Sequence, residues 1–326
     1  MTDHYKVLNC DPGAAPEVIK AAYRALVKKL HGDDRAMTLL NNANSVIGDS
    51  RLREEYDASL VQRGKVVGEY RLLEKIAEGG FGETWKAQHV SVGSLACLKY
   101  AIELSPEDEE MLIEEAKLMW DLRHYGIPAV RGLLKMPDNK FALVMSYVPG
   151  PTLAQLIEKS YPNGMDPEHV AWIAERILNI LKYLHHQGVV HGDIKPQNVI
   201  VEPEKHTVVL VDYGLSQFKP KAGSGAKGYT PYFCAPEQED FRTPIPETDL
   251  FGLGMTMMFA LGGDVAKLNV PPTTPPEMCR LIKSLIRRDP FNRPRVWKDV
   301  DLCDTIKEVR QKDFGRTASG MKPLTV

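Results

Sequence analysis

Residues 191–198 read His-Gly-Asp-Ile-Lys-Pro-Gln-Asn, and residues 211–214 read Val-Asp-Tyr-Gly. Apolar β-branched runs flank both stretches: Val189-Val190 ahead of the first, Val199-Ile200-Val201 behind it, and Val208 to Val211 leading into the second. Short runs of this kind, bounded by polar punctuation, read as buried strands. The polar residues then stand at the ends of a small sheet, where a phosphate and its metal ion can be gripped. Asp193 is placed to accept a hydroxyl proton, Asn198 and Asp212 to hold Mg²⁺, and Lys195 to sit near a moving phosphate, a set suited to phosphoryl transfer.

The order and spacing of these residues resemble the catalytic loop and DFG segment of eukaryotic-like (Hanks-type) serine/threonine protein kinases. Lys two residues after the catalytic Asp marks the Ser/Thr branch of that family. The resemblance implies an α+β, bilobal fold, with a small antiparallel-sheet N-lobe and a mainly helical C-lobe. It implies ATP and Mg²⁺ as cofactors and protein Ser/Thr hydroxyls as acceptors, with Asp193, Lys195, Asn198, Lys99 and Glu115 as the catalytic set.

Upstream, Tyr70 to Ala87 reads as a strand, a glycine-rich turn and a strand, the turn being Ala77-Glu78-Gly79-Gly80-Phe81-Gly82. Glycines let backbone amides approach phosphates with no Cβ in the way. The stretch resembles the kinase GxGxxGxV loop, with Ala77 for the first Gly and Thr84 for the Val that packs on adenine. Ala96-Cys97-Leu98-Lys99 resembles the VAIK strand. It implies that Lys99 binds the α- and β-phosphates and pairs with a helix Glu, and that Cys97 lies against adenine. Glu115 has the family's spacing to Leu122-Arg123-His124, while Glu114 and Glu110 are rivals. Phe141 to Val148 resembles the fifth strand and hinge, with adenine on the backbone of Ser146 and Val148, Met145 as gatekeeper and Ile200 as floor.

Pro167 opens a long helical pattern in which Val170, Ile173, Ala174, Ile177, Leu181 and Leu184 share one apolar face and deliver the chain to His191. Gly192 stands where the family carries Arg, the residue that pairs with a phosphorylated activation segment, so activity is expected not to depend on such a phosphate. Tyr213 takes the Phe place of DFG, and its ring fills that slot if its hydroxyl finds a partner. Tyr229 to Glu237 resembles GTPxYxAPE and implies that Thr230 bonds Asp193 and Lys195. Glu237 is expected to pair with Arg293 as a structural ion pair. Asp249, opening a buried core helix through Leu250 to Leu261, is expected to bond the catalytic-loop backbone. The region after Gly263 is short and proline-rich, an abbreviated helix G region.

Near the N-terminus, Ile19, Ala22, Tyr23, Leu26, Val27 and Leu30 recur at helical spacing behind Pro16-Glu17, with Lys20, Arg24, Lys28 and Lys29 on the opposite face. Leu40, Ala43, Val46 and Ile47 repeat the pattern after His31-Gly32-Asp33. The segment resembles a J domain in DHYKVLN, IKAAYRALVKKLH and LNNANSVIGDSRLREEYD, but reads His-Gly-Asp where J domains carry His-Pro-Asp. Proline stiffens that loop and glycine loosens it, so stimulation of a DnaK-type chaperone is not the expected role of the module.

The chain of 326 residues is therefore divided into a J-like module over 1–60, a linker over 61–68, a kinase-like domain over 69–313 (N-lobe 69–148, C-lobe 149–313) and a flexible polar tail over 314–326. A formal net charge of −2 gives no bulk attraction to nucleic acid or anionic membrane. The most apolar stretch is too short to span a bilayer. Five scattered cysteines with no CxxC pair read as reduced thiols, and with no signal pattern at the N-terminus the expected location is the cytoplasm. Three other readings compete: a nucleotide-binding pseudokinase scaffold, a small-molecule kinase of the His-Gly-Asp type, and a co-chaperone adaptor working through the J-like module.

Overall fold

A computed structural model describes residues 3–30, 33–62, 64–79, 82–100, 106–135, 141–202, 206–297, 299–317 and 324. The chain divides into two compact units, one of Met1–Glu103 with Leu134–Ala142, the other of Leu104–Leu133 with Leu143–Val326.

The first unit begins with helices α1 (His4–Val7), α2 (Pro16–Lys29), α3 (Asp34–Ile47) and α4 (Ser50–Gln62). Their apolar faces close on one core of Tyr5, Leu8, Ile19, Leu40, Ala43, Ile47 and Tyr56. Proline at the first turn of α2 sacrifices no hydrogen bond, because that N–H has no partner inside a helix. Lys20, Arg24, Lys28 and Lys29 lie exposed on the other face of α2, as the periodicity predicts. Of the His-Gly-Asp loop, His31 and Gly32 lie outside the described residues; Asp33 caps α3 by accepting from the Ala36 N–H at 3.0 Å.

A six-stranded sheet follows, built from β1 (Val66–Val67), β2 (Tyr70–Gly79), β3 (Gly82–His89), β4 (Leu95–Tyr100), β5 (Val130–Lys135) and β6 (Phe141–Ser146), in the order β1-β2-β3-β4-β6-β5. The β1/β2, β2/β3 and β3/β4 pairs are antiparallel. The stretch expected to be a linker over 61–68 is thus partly structured, since α4 runs through Gln62 and β1 occupies Val66–Val67.

In the second unit, α5 (Pro106–Met119) and α6 (Leu153–Ser160) precede the long α7 (Pro167–His186). Thr152 and Gln155 close a reciprocal capping box at the start of α6. The strands β7 (Val189–Val190), β8 (Val199–Glu202), β9 (Thr207–Leu210) and β10 (Gln217–Phe218) form two separate two-stranded ribbons, β10-β7 and β8-β9, rather than the single small sheet that the sequence suggests. Helices α8 (Pro236–Glu239), α9 (Pro246–Ala260), α10 (Pro276–Leu285) and α11 (Leu302–Phe314) complete the unit. The core is the junction of α7, α9 and α10; Ile177, Leu181, Leu184, Leu250, Leu253, Met258, Ile282 and Leu285 are all buried there. Past the end of α11, Arg316 holds the Glu168 carboxylate through two nitrogens at 2.5 and 2.6 Å, so the described start of the tail is fastened to α7.

Candidate active site

The loop between β7 and β8 carries three of the expected residues, Asp193, Lys195 and Asn198, and Thr230 joins them from a later segment. Asp193 is buried. Its Oδ2 lies 2.7 Å from the Lys195 ammonium and accepts from the Asn198 amide at 2.9 Å, while its Oδ1 accepts from the Thr230 hydroxyl at 2.7 Å. Lys195 in turn donates to the Thr230 oxygen at 2.8 Å. Asp193, Lys195 and Thr230 thus form a closed triangle, with Thr230 contributed by the GTPxYxAPE-like segment. Asn198 also donates to the Asp193 carbonyl at 2.9 Å. Its amide nitrogen is committed to Asp193, so Oδ1 is the end of the side chain fitted to a cation.

Asp212 sits at φ 63°, a left-handed conformation that Asp tolerates better than most residues and that recurs at functional sites. Asn198 and Asp212 offer the oxygen donors a hard cation takes; Mg²⁺ in such sites is completed by phosphate and water rather than by an all-protein cage. Accordingly, the described residues contain no group of three His, Cys, Asp or Glu fit to hold a metal.

The frame beneath this cluster is anchored at depth. Asp249, at the start of α9, accepts from the His191 N–H at 2.9 Å and the Gly192 N–H at 2.7 Å, and its Oδ2 is 2.8 Å from the His185 ring. Gly192 sits at φ 76°, which side chains on an L residue rarely adopt. Gln238 donates to the Gly192 carbonyl at 2.7 Å, a bond the sequence reading missed. The spacing Ala235 to Gln238 signals only that Gln238 caps α8 by accepting from the Ala235 N–H, and nothing in it points to Gly192. Gly252, one turn further into α9, leaves room for the loop: a Cβ there would stand 2.8 Å from the Ile194 carbonyl oxygen.

Glu237 and Arg293 form the expected buried pair, with nitrogens 2.6 and 2.8 Å from the two carboxylate oxygens. Among the three candidate acids on α5, Glu110 and Glu114 are exposed and Glu114 pairs with Lys227 at 3.0 Å. Glu115 alone is buried, and it accepts from the Tyr213 N–H at 3.2 Å.

Tyr213 fills its slot with its ring tilted against His191, centroids 4.8 Å apart. Its hydroxyl and the His191 Nε2 are both buried with no hydrogen-bond partner among the described residues, so the expected partner for the hydroxyl is not found. Burial drives the Tyr213 pKa well above its usual value, helped by the Asp249 and Glu115 carboxylates, and drives that of His191 down. Cys234 is pushed up to about 11 by burial and the neighbouring Glu239 carboxylate, so it stays a thiol and is no nucleophile at neutral pH.

The remaining predicted residues are placed as follows. In the first unit, Lys99 is buried on β4 opposite Thr84, and Cys97 is half-buried opposite Lys86. Ala77 is exposed on β2, paired with Thr84, and Gly79 pairs with Gly82, which takes φ 107°. Gly80 and Phe81 lie outside the described residues. In the second unit, Met145 is buried, Val148 is half-buried, and Ile200 bridges to Thr152. The Ser146 N–H is bound to the Ala129 carbonyl at 2.9 Å, so only the carbonyl of its backbone can serve a ligand.

Comparison with known proteins matches two family models to the chain. The protein kinase domain model matches residues 70–266, and the DnaJ domain model matches residues 3–57. Serine/threonine-protein kinase D of Synechocystis sp. is 31% identical over 216 residues, covering 60% of this chain and 41% of that protein. Serine/threonine-protein kinase pkn3 of Myxococcus xanthus is 26% identical, covering 71% and 48%. Serine/threonine-protein kinase ppk25 of Schizosaccharomyces pombe is 29% identical, covering 71% and 58%. The chain thus spans about half the length of these relatives.

Proposed function

This chain belongs to the protein kinase family, and from that premise we propose that it transfers the γ-phosphoryl group of ATP, with Mg²⁺, to serine or threonine hydroxyls of protein substrates. The observation that carries the reading is the closed contact set of Asp193, Lys195, Asn198 and Thr230. ATP and Mg²⁺, when bound, supply the phosphoryl group and neutralise its charge. The glycine turn over Ala77–Gly82 with Lys99 holds the phosphates, Glu115 being the acid assigned to Lys99. Asn198 and Asp212 hold the metal ion, and Cys97, Met145, Ser146, Val148 and Ile200 receive the base.

The chemistry of the chain itself centres on Asp193. Its carboxylate orients the acceptor hydroxyl and takes the proton as the oxygen attacks. Thr230 and Asn198 fix the plane of that carboxylate by hydrogen bonds from opposite sides. Lys195 places a positive charge beside the site where negative charge grows. Thr230 on this triangle suits an aliphatic hydroxyl acceptor, in line with the names of the relatives.

The domain limits drawn from the sequence belong to this proposal: a J-like module over 1–60, a kinase domain over 69–313 and a tail beyond it. A DnaK-type chaperone is the natural partner to test for the J-like module, through His31→Gln, which leaves phosphoryl transfer untouched. Five scattered cysteines with no CxxC spacing suit a reducing, cytoplasmic setting. No helix among the described residues is long and apolar enough to cross a membrane.

The test is transfer of labelled γ-phosphate to the protein itself and to a generic basic protein, beside Asp193→Ala. Label on Ser or Thr that vanishes in the variant is the expected result. No label, with ATP still bound, would replace this reading by that of a nucleotide-binding scaffold.

A further inference from the structure

The segment after Tyr213 runs through Gly223, Ser224 and Gly225 before it reaches the Lys227–Glu114 ion pair and Thr230, and its stretch up to Gly225 is held by uncharged groups. At its start, Gln217 pairs with Val190 in the β10-β7 ribbon, directly ahead of His191. The Lys219 N–H donates to the Gly188 carbonyl at 2.7 Å. The buried Gln217 side chain then reaches forward and donates to the Gly225 carbonyl at 2.9 Å.

The middle of the segment is fixed by one hydroxyl. Thr243 Oγ1 accepts from the Gly223 N–H at 3.0 Å and the Gly225 N–H at 3.4 Å, and donates to the Lys221 carbonyl at 3.1 Å. Two acceptor lone pairs and one donor are the full capacity of a hydroxyl, and all three are used on this loop. Gly223 and Gly225 stand at φ 85° and 72°, so the glycines supply the two left-handed turns that aim both amides at one oxygen. Thr243 is itself well founded. The Arg242 N–H donates to the Glu237 carbonyl at 2.8 Å, and the Glu237 carboxylate is the one clamped by Arg293.

We propose that Thr243 is a positioning residue: its hydroxyl latches residues 221–225 to the stretch between α8 and α9 and so sets the path of the segment that delivers Thr230 to Asp193. The proposal rests on the phosphoryl-transfer reading for its kinetic consequence, but the latch itself is a matter of geometry. Its bonds involve no charged partner, so they hold the segment in the unphosphorylated chain. Gly192, where the family pattern has an Arg, fits that arrangement.

The test compares Thr243→Val, which keeps the branched shape and removes the hydroxyl, with Thr243→Ser, which keeps it. Lys219, Lys221 and Lys227 make the segment a trypsin substrate once it opens. In the full-length protein under native conditions, Thr243→Val is expected to raise cleavage at these lysines about tenfold, as loss of one or two net hydrogen bonds would raise a local opening equilibrium. Hydrogen exchange in the peptide holding Gly223 and Gly225 should rise in parallel, while Thr243→Ser and phosphatase-treated wild type stay at the wild-type rates. In phosphate transfer, Thr243→Val should lower kcat/KM for the protein acceptor about tenfold with KM for ATP unchanged, and Thr243→Ser should restore it.

Unchanged cleavage and exchange in Thr243→Val would overturn the latch. So would cleavage rising equally at lysines throughout the chain, which is global destabilisation, or a wild-type rate that depends on phosphatase, which would assign the hold to charge. If the wild type transfers no phosphate, the functional reading fails, and the proteolysis and exchange arms still decide the latch.

Discussion

Tyr213→Phe should make this protein more stable, which is unusual for a change at a fully buried site. Tyr213 is 1% exposed and its hydroxyl has no hydrogen-bond partner among the described residues. Stripping a hydroxyl of water without replacing its bonds costs about 1–3 kcal/mol. Phenylalanine keeps the ring, its tilted contact with His191 at 4.8 Å and the backbone bond to Glu115. What is lost is the dispersion of one oxygen, a few tenths of a kcal/mol. The expected gain is therefore about 1–2 kcal/mol, or roughly 2–8 °C in Tm for a unit of this size. Urea unfolding at pH 7.5 is the assay, with the midpoint moving up and the slope unchanged. A variant less stable than wild type would refute the reasoning, because it would mean that the hydroxyl is bonded, most simply by a buried water shared with His191 Nε2.

Three further outcomes are expected. Arg293→Met should destabilise the protein by about 3–5 kcal/mol, since it strands the buried Glu237 carboxylate; chemical denaturation measures it. Burial lowers the His191 pKa from 6.5, so below that pH the unfolded chain binds a proton that the folded chain refuses. Stability therefore falls with acid from pH 6.5 downward, by at most about 1.4 kcal/mol per pH unit from this group, and His191→Asn should flatten that part of the stability–pH curve. Ser224→Ala should leave phosphate transfer within a few-fold, because Ser224 is exposed and its one side-chain contact, to Gln217, is long at 3.4 Å; a loss of orders of magnitude would show that a phosphate on Ser224 is read.

Much of the site could be read from the sequence because its chemistry is local. Asp193, Lys195 and Asn198 lie within six residues of one another, and a strand, a loop and a short 3-10 turn suffice to gather them. Glu237 with Arg293, Asp249 with the loop backbone, and Thr230 with Asp193 were legible only through the family resemblance, for nothing in a single sequence ties residues 30 to 60 positions apart. The contacts that escaped are those of Gln217, Gln238 and Thr243 with main-chain groups. Backbone recognition leaves no complementary side chain to look for, so an amide or hydroxyl engaged in it resembles any other polar residue. The unsatisfied Tyr213 hydroxyl was equally hidden, since the residue type states a need for a partner and not whether one is met.

The loop from His191 to Asn198 takes its shape from α9: the Asp249 carboxylate pins its first two amides, and Gly252 lets its backbone lie against the helix with no room for a methyl group. The loop is thus moulded from below by a residue 58 positions away. Within the intervening stretch, Ser216, Thr230 and Gln238 reach back to the loop, at the His191 carbonyl, the Asp193 carboxylate and the Gly192 carbonyl. Those three contacts fix where the stretch must return to the loop, while the residues between them can vary in length and composition with the loop keeping its shape.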